Sequence, residues 1–322
     1  MTSEPATPGP TPGASTPGAS TPAARTWGRL RAEATRRLAA AVLADPAQEA
    51  RWMVEEVAGL RGADLIAEEH VEAPRVAGVR IDEMLARRVA GEPLQHVLGA
   101  WSFRGIDLFV DSRVLVPRPE TEVTAEVAIS EAERLGERRG RRSAWSGTTT
   151  SYIVADLGTG SAALALALAA ELPDAAVWAT DRSPDALVVA RANLAGAGTA
   201  ATRVRLVEGD WFDALPDELR GALRIVVTNP PYIAEHEVDD LPPEVVRHEP
   251  RDALVSGPTG LEAIERIVAE APEWLEPDGV LVVEVDANRA DAARALAVEA
   301  GFSDVRIDRD LTGRDRVLVA RR

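Results

Sequence analysis

The sequence contains no cysteine. That excludes disulfide bridges, thiolate metal sites and cysteine nucleophiles together. It also suits a reducing compartment, so a cytoplasmic location is expected. Aromatic residues are scarce, at 4%. Hydrophobic residues nevertheless reach 46%, so a large core can form, filled mostly by Ala, Val and Leu. Such a core fits helices packed on a valine-rich sheet. Positive charge is in short supply: 36 Lys plus Arg face 52 Asp plus Glu, for a net charge of −16. A protein that grips phosphates needs a basic face. Apart from the short cluster of Arg138, Arg139, Arg141 and Arg142, none stands out, which argues against a DNA or RNA substrate. The four histidines, His70, His96, His236 and His248, lack metal-ligand spacing, so no metal is expected. The longest apolar run, Ala162 to Ala170, is far shorter than the roughly 20 residues of a membrane span. No charged segment followed by an apolar one opens the chain, so no secretory signal is expected.

A length of 322 residues suits two ordinary domains. Residues 1–26 repeat Thr-Pro-Gly-Ala-Ser at Thr11–Ser15 and Thr16–Ser20. So little of that segment can be buried that a disordered tail is predicted. From Trp27 the pattern becomes helical, with Leu30, Ala34, Leu38 and Ala41 on one stripe. A second helix opens at Asp45-Pro46, with Gln48 three residues after Asp45. A third carries Ile81, Met84, Leu85 and Val89 and stops before Gly91 and Pro93. Residues 27–95 therefore read as a small helical domain for packing or substrate docking. Residues 96–118 read as a bridging hairpin, followed by a helix over about 120–135 and an exposed loop over 136–150. From Tyr152 strands and helices alternate. The expectation for 119–322 is an α/β domain with a doubly wound, mostly parallel seven-stranded sheet. Ligands of such sheets bind at the carboxyl ends of the strands.

The chemistry-bearing residues fall at those strand ends. The first strand runs into Asp156-Leu-Gly158-Thr159-Gly160-Ser161-Ala162, and a helix follows. The glycines allow close backbone approach, and the helix N-terminus favours a polar or anionic group. The same pattern also fits a dinucleotide site, or a tight turn with no ligand. Asp181 ends the second strand, where an acidic residue can accept the hydroxyls of a ribose. A capping role there is better filled by Ser183 or Asp185. Asp210-Trp211-Phe212 follows the third strand, and Trp211 suits either an adenine face or core packing. Asn229-Pro230-Pro231-Tyr232 follows the fourth strand. Two prolines there could simply end the strand. The chemical reading explains more. An amide nitrogen is a poor nucleophile because its lone pair is delocalised. The Asn229 side-chain oxygen and the Pro230 carbonyl can each accept one of its N–H groups, orienting the lone pair. The prolines bias the preceding residues toward extended backbone, and Tyr232 can stack on a flat amide. A hydride-transfer enzyme has no use for this set.

Taken together, the chain resembles the HemK/PrmC family, the peptide chain release factor glutamine methyltransferases. The resemblance runs from residue 27 to the end. It rests on Gly91-Glu-Pro-Leu-Gln-His-Val-Leu-Gly99, Val116-Pro-Arg-Pro-Glu-Thr-Glu122, the glycine loop, Asp210-Trp211-Phe212, Asn229-Pro-Pro-Tyr-Ile233 and Glu249-Pro-Arg-Asp-Ala-Leu254. The resemblance implies a helical docking domain, a hairpin and a Rossmann-like, class I S-adenosylmethionine-dependent catalytic domain. It implies that Asp156, Gly158, Thr159, Gly160, Ser161, Ala162, Asp181, Asp210, Trp211 and Asn229 serve S-adenosylmethionine. Asn229, Pro230, Pro231 and Tyr232 would hold the substrate glutamine, with Arg118, Thr121 and Glu122 lining the site. The glutamine would be that of a Gly-Gly-Gln motif in a release factor, methylated on its side-chain nitrogen by a monomeric enzyme. Alternatives are a ribosomal-protein glutamine, a nucleic-acid amino group, or a cofactor-binding protein without activity. Two departures stand out. The family usually has glycine where this chain has Ala162, a methyl group that a helical backbone would tolerate. The 137–150 loop is longer than typical.

Overall fold

The computed structural model describes residues 25–136 and 151–322. The predicted tail, apart from Arg25 and Thr26, and the loop at 137–150 lie outside the described residues. The chain divides into two compact units between Glu83 and Met84.

In the first unit Thr26 caps α1 (Trp27–Ala40), its side chain accepting from Arg29 N at 3.3 Å. The helix buries Trp27, Leu30, Ala34 and Leu38, the stripe expected from spacing. α2 (Pro46–Ala58) opens with Asp45 accepting from Gln48 N at 3.1 Å and closes on a left-handed Gly59. α1 packs on α2. A short α3 (Ala63–Ala67) and α4 (Arg75–Val89) follow, and the division between the units falls inside α4. Asp82 on α4 takes Arg25 at 3.2 Å and Arg37 at 2.6 Å.

The second unit continues with α5 (Leu94–Leu98) and a hairpin of β1 (Ala100–Phe103) and β2 (Ile106–Phe109). The hairpin turns on Arg104 and Gly105, with φ of 48° and 75°, the double left-handed turn that matches strand twist. The strands thus occupy less than 96–118. Residues 94–98 instead bury Leu94, His96 and Val97 on one helical turn, too short a stripe to read in advance. α6 (Pro119–Arg134) starts on Pro119, whose missing N–H is no loss in a first turn.

The strand–helix alternation gives β3 (Tyr152–Leu157), α7 (Ala163–Glu171), β4 (Ala175–Asp181), α8 (Pro184–Gly196), α9 (Gly198–Ala201), β5 (Val204–Glu208), β6 (Leu223–Thr228), β7 (Ile233–Ala234), α10 (Pro243–His248), α11 (Arg251–Leu254), β8 (Val255–Gly257), α12 (Glu262–Trp274), β9 (Leu275–Glu284), α13 (Ala290–Glu299), β10 (Asp304–Arg309) and β11 (Asp315–Arg321). Seven of the strands form one sheet in the order β10-β11-β9-β6-β3-β4-β5. Only β11 runs against the rest. The α/β expectation is met.

The period-two alternation of a strand divides its side chains between two cores. Val154, Ile225, Val227, Val280 and Val282 face α6, α7 and α8. Ala155, Val226, Leu281 and Val283 face α12 and α13. α7 is apolar all round and accordingly buried along nearly its whole length. A small parallel pair, β7 with β8, sits in the stretch after the Asn229 loop, which sequence patterning did not show. No helix among the described residues is long and apolar enough to cross a membrane.

Candidate active site

A cavity of about 820 Å³ opens at the carboxyl ends of β3, β4, β5 and β6, within the second unit. Gly158, Thr159, Gly160, Ser161, Asp181, Asp210, Trp211, Asn229, Pro231 and Thr121 line it. Residues far apart in the sequence thereby meet, as Thr121 and Asn229 do across 108 positions.

One end is made of backbone. Gly158 and Gly160 have φ of 70° and 55°, the left-handed region where glycine is unstrained. Gly158 has a second reason to be glycine, since a Cβ there would lie 3.0 Å from the Trp211 ring. Trp211 is half-buried, lines the cavity and also packs against the core beneath it. Asp181 accepts from Gly160 N at 2.8 Å and from Ser183 N at 2.9 Å. Each oxygen keeps a further lone pair for a ligand. Burial pushes its carboxyl above the usual range, against those two hydrogen bonds. The cap of α8 falls to Ser183, as expected, with Oγ accepting from Ala186 N at 3.2 Å. Asp156 does not line the cavity. It lies below the loop, accepting from Thr159 Oγ1 at 2.6 Å and Ala165 N at 3.0 Å. Complete burial raises it to about 7. Asp210 is held by Arg266 of α12, which also pairs with Asp213 at 2.7 Å and Glu270 at 2.9 Å.

The other end is made of side chains. Asn229 Nδ2 donates to Thr121 Oγ1 at 3.2 Å. Thr228 Oγ1 donates to the Leu157 carbonyl at 2.7 Å, which ties the start of the Asn229 loop to β3. Pro230 is buried and Tyr232 half-buried, and neither is among the cavity-lining residues. Burial pushes the Tyr232 hydroxyl well above its ordinary range, with Glu284 adding to the shift. Arg118 and Glu122 do not line the cavity either. Arg118 Nη2 reaches both oxygens of Glu249, at 2.6 and 2.8 Å. Burial still leaves the Glu249 carboxyl raised. Glu122 accepts from Arg104 N at 3.0 Å, at the hairpin turn. Of the three residues from that motif, Thr121 alone faces the cavity.

Glu284 and Arg266 were missed in the sequence. A signal existed for Glu284, an acidic residue closing the run Leu281-Val-Val, where a buried strand has no ordinary place for charge. Arg266 gave none, because an arginine on an amphipathic helix looks like solvent-facing surface. Among the described residues no group of three or more His, Asp or Glu side chains could hold a metal ion.

Two family models match the chain. The PrmC N-terminal domain covers residues 29–99 and the methyltransferase small domain residues 147–259. A release factor glutamine methyltransferase of Bordetella pertussis is 40% identical over 86% of this chain and 96% of its own length. One from Burkholderia pseudomallei is 38% identical over 84% and 90%, respectively. One from Deinococcus radiodurans is 38% identical over 90% and 96%.

The chain belongs to the release factor glutamine methyltransferase family.

Its second unit is a class I methyltransferase domain, whose methyl donor is S-adenosylmethionine. The residues present fit that donor. The Gly158–Gly160 backbone is cleared of side chains, Asp181 retains acceptor capacity, and the Trp211 ring offers an apolar face. The Ala162 backbone is left-handed rather than helical, with φ 67° and ψ 25°, and its side chain is fully buried. The condition for an unstrained methyl is therefore not met. Left-handed backbone costs a non-glycine residue about 1 kcal/mol, which the packed start of α7 sustains.

Proposed function

We propose that this protein transfers a methyl group from S-adenosylmethionine to the side-chain amide nitrogen (N5) of the glutamine in a Gly-Gly-Gln motif of peptide chain release factors. The observation that carries the reading is Asn229. It stands in the cavity across from the glycine loop, with its Nδ2 engaged by Thr121. That leaves Oδ1 as the acceptor for an incoming amide. The family's curated members bear the name of this activity.

S-adenosylmethionine supplies a methyl group on a sulfonium, whose departure as a neutral thioether needs no further activation. The protein's task is to aim the nucleophile. Asn229 Oδ1 and the Pro230 carbonyl accept the two N–H groups of the substrate amide, turning its lone pair out of conjugation. They also stabilise positive charge as the N–C bond forms and the S–C bond breaks. The nitrogen then sheds its proton to solvent, being acidic once methylated, so no residue need act as a strong base. Pro231 at the cavity wall and Tyr232 beside it restrict the amide plane. Asp181 and Trp211 hold the donor, with Asp210 near its base and Arg266 fixing Asp210. Docking of the release factor falls to the N-terminal helices. The enzyme acts as a monomer in the cytoplasm, where release factors work.

The test is incubation with purified release factor and labelled methyl donor, with the modified residue located by peptide mass spectrometry. Label on the Gly-Gly-Gln glutamine is expected. Label on a ribosomal protein or on nucleic acid, but not on release factor, would overturn the substrate and leave the chemistry.

A further inference from the structure

The buried face of α8 is apolar at Ala186, Leu187, Val189 and Ala190, and then breaks at Asn193. A buried amide costs free energy unless its polar atoms are matched. Here both side-chain N–H groups and the oxygen have partners. Oδ1 accepts from the Phe109 N–H at 2.7 Å, and Nδ2 donates to the Phe109 carbonyl at 3.0 Å. The backbone of Phe109 offers one donor and one acceptor, so the amide fits only one way round. Its second N–H is thereby aimed at the Ser161 carbonyl, 2.8 Å away. One side chain of α8 thus ties the end of β2, 84 residues away, to the glycine loop, 32 residues away.

The peptide unit joining Ser161 to Ala162 is held at both ends. Its N–H donates to the Thr159 carbonyl at 2.8 Å, and its C=O accepts from Asn193. Rotation of that unit is what would carry Ala162 from φ 67° back to the negative values an alanine prefers. It would also move Ser161, which lines the cavity. We propose that Asn193 is a positioning residue for the methyl donor, which locks the Ser161–Ala162 peptide and so keeps the glycine loop in its left-handed shape. Asn193 is absent from the cavity wall, so it acts through Ser161 and not on the donor. The same bond explains how a loop with alanine at 162 keeps a turn that glycine would adopt unaided. The inference concerns donor binding and does not depend on which amide is methylated.

The test is calorimetry of S-adenosylmethionine binding to the full chain carrying Asn193→Ala, Ala162→Gly, or both. Hydrogen exchange of the loop amides is followed in the ligand-free protein. Asn193→Ala should weaken donor binding about tenfold or more and speed exchange at Ala162, with β6 and β9 unchanged. Ala162→Gly alone should change affinity less than about threefold. Added to Asn193→Ala, it should recover about threefold or more of the lost affinity, because glycine keeps the left-handed turn without the clamp. A residue that merely packed α8 would show no such rescue. Asn193→Asp replaces Asn193→Ala if melting shows the latter unfolded. It keeps the shape and the acceptor for Phe109, but as a carboxylate has no donor for Ser161. Affinity within about twofold of the parent in the folded Asn193 variant would overturn the inference. So would a double variant that binds no better than the Asn193 variant, or faster exchange spread evenly over the sheet.

Discussion

The two ends of the cavity are built by different means. At the glycine loop the working groups are backbone amides and left-handed turns, and the fastening contact, Gly160 N to Asp181, joins residues 21 apart. At the Asn229 end they are side chains fastened to other side chains. Asn229 meets Thr121 across 108 residues, and Thr124 meets Glu284 across 160. The first end is held largely by conformation that its glycines prefer. The second is held by a buried polar network, which is useful only when every member is satisfied. Damage to the first should therefore appear in donor affinity, and damage to the second in the rate of the bound complex.

Asn229→Ala gives the largest expected effect. Single-turnover rate should fall on the order of a hundredfold or more, as for loss of one preorganised polar partner, while donor affinity holds within about threefold. A matching drop in affinity would show that the two ends are not separable. Asp181→Ala should do the reverse. Calorimetry should find donor binding weakened about tenfold or more, each factor of ten being about 1.4 kcal/mol, and the rate at saturating donor should change little.

The contrast extends to pH, since each end covers one buried carboxyl. Asp156 below the glycine loop and Glu284 behind Asn229 both stand at about 7 in the folded protein, against about 4 in an unfolded chain. The folded state thus keeps protons that the unfolded state releases. The stability these groups confer is full below about pH 4 and is lost as pH rises to about 7. Melting temperature should fall by several degrees between pH 5 and pH 8. The slope should flatten in Asp156→Asn and in Glu284→Gln, and a slope unaltered by both changes would place the titration elsewhere. Ala162→Gly gives the smallest effect. Relief of the left-handed alanine should add about 1 kcal/mol, a rise of about 2–4 °C in melting temperature for a unit of this size. Donor affinity should move only modestly. A hundredfold gain in affinity would mean that the methyl obstructs the loop.

Much of this was legible in advance, for reasons that differ by residue. Gly158, Asp181 and Asn229 each follow a run of apolar strand residues, so their place at strand ends could be read directly. Thr26 and Asp45 announced two helix starts by capping chemistry. Arg118 and Glu122 came with the motif that carries Thr121, but helical geometry turns neighbouring side chains to different sides. One meets Glu249, another the hairpin turn, and only the third faces the cavity. Ala162 showed that residue identity does not report backbone: alanine favours helix, yet here it takes the turn that precedes one.

What the sequence by itself determined was local: which segments are strands and helices, where glycine opens a turn, and which loop carries an amide-binding set. Periodicity and capping act over a few residues, and their physics is complete within such a window. The tertiary structure alone decided which way the Asn229 amide faces. That choice depends on a threonine brought from α6, whose hydroxyl takes the Asn229 Nδ2 at 3.2 Å, and on burial that excludes water as a competing partner. No window of sequence contains either condition.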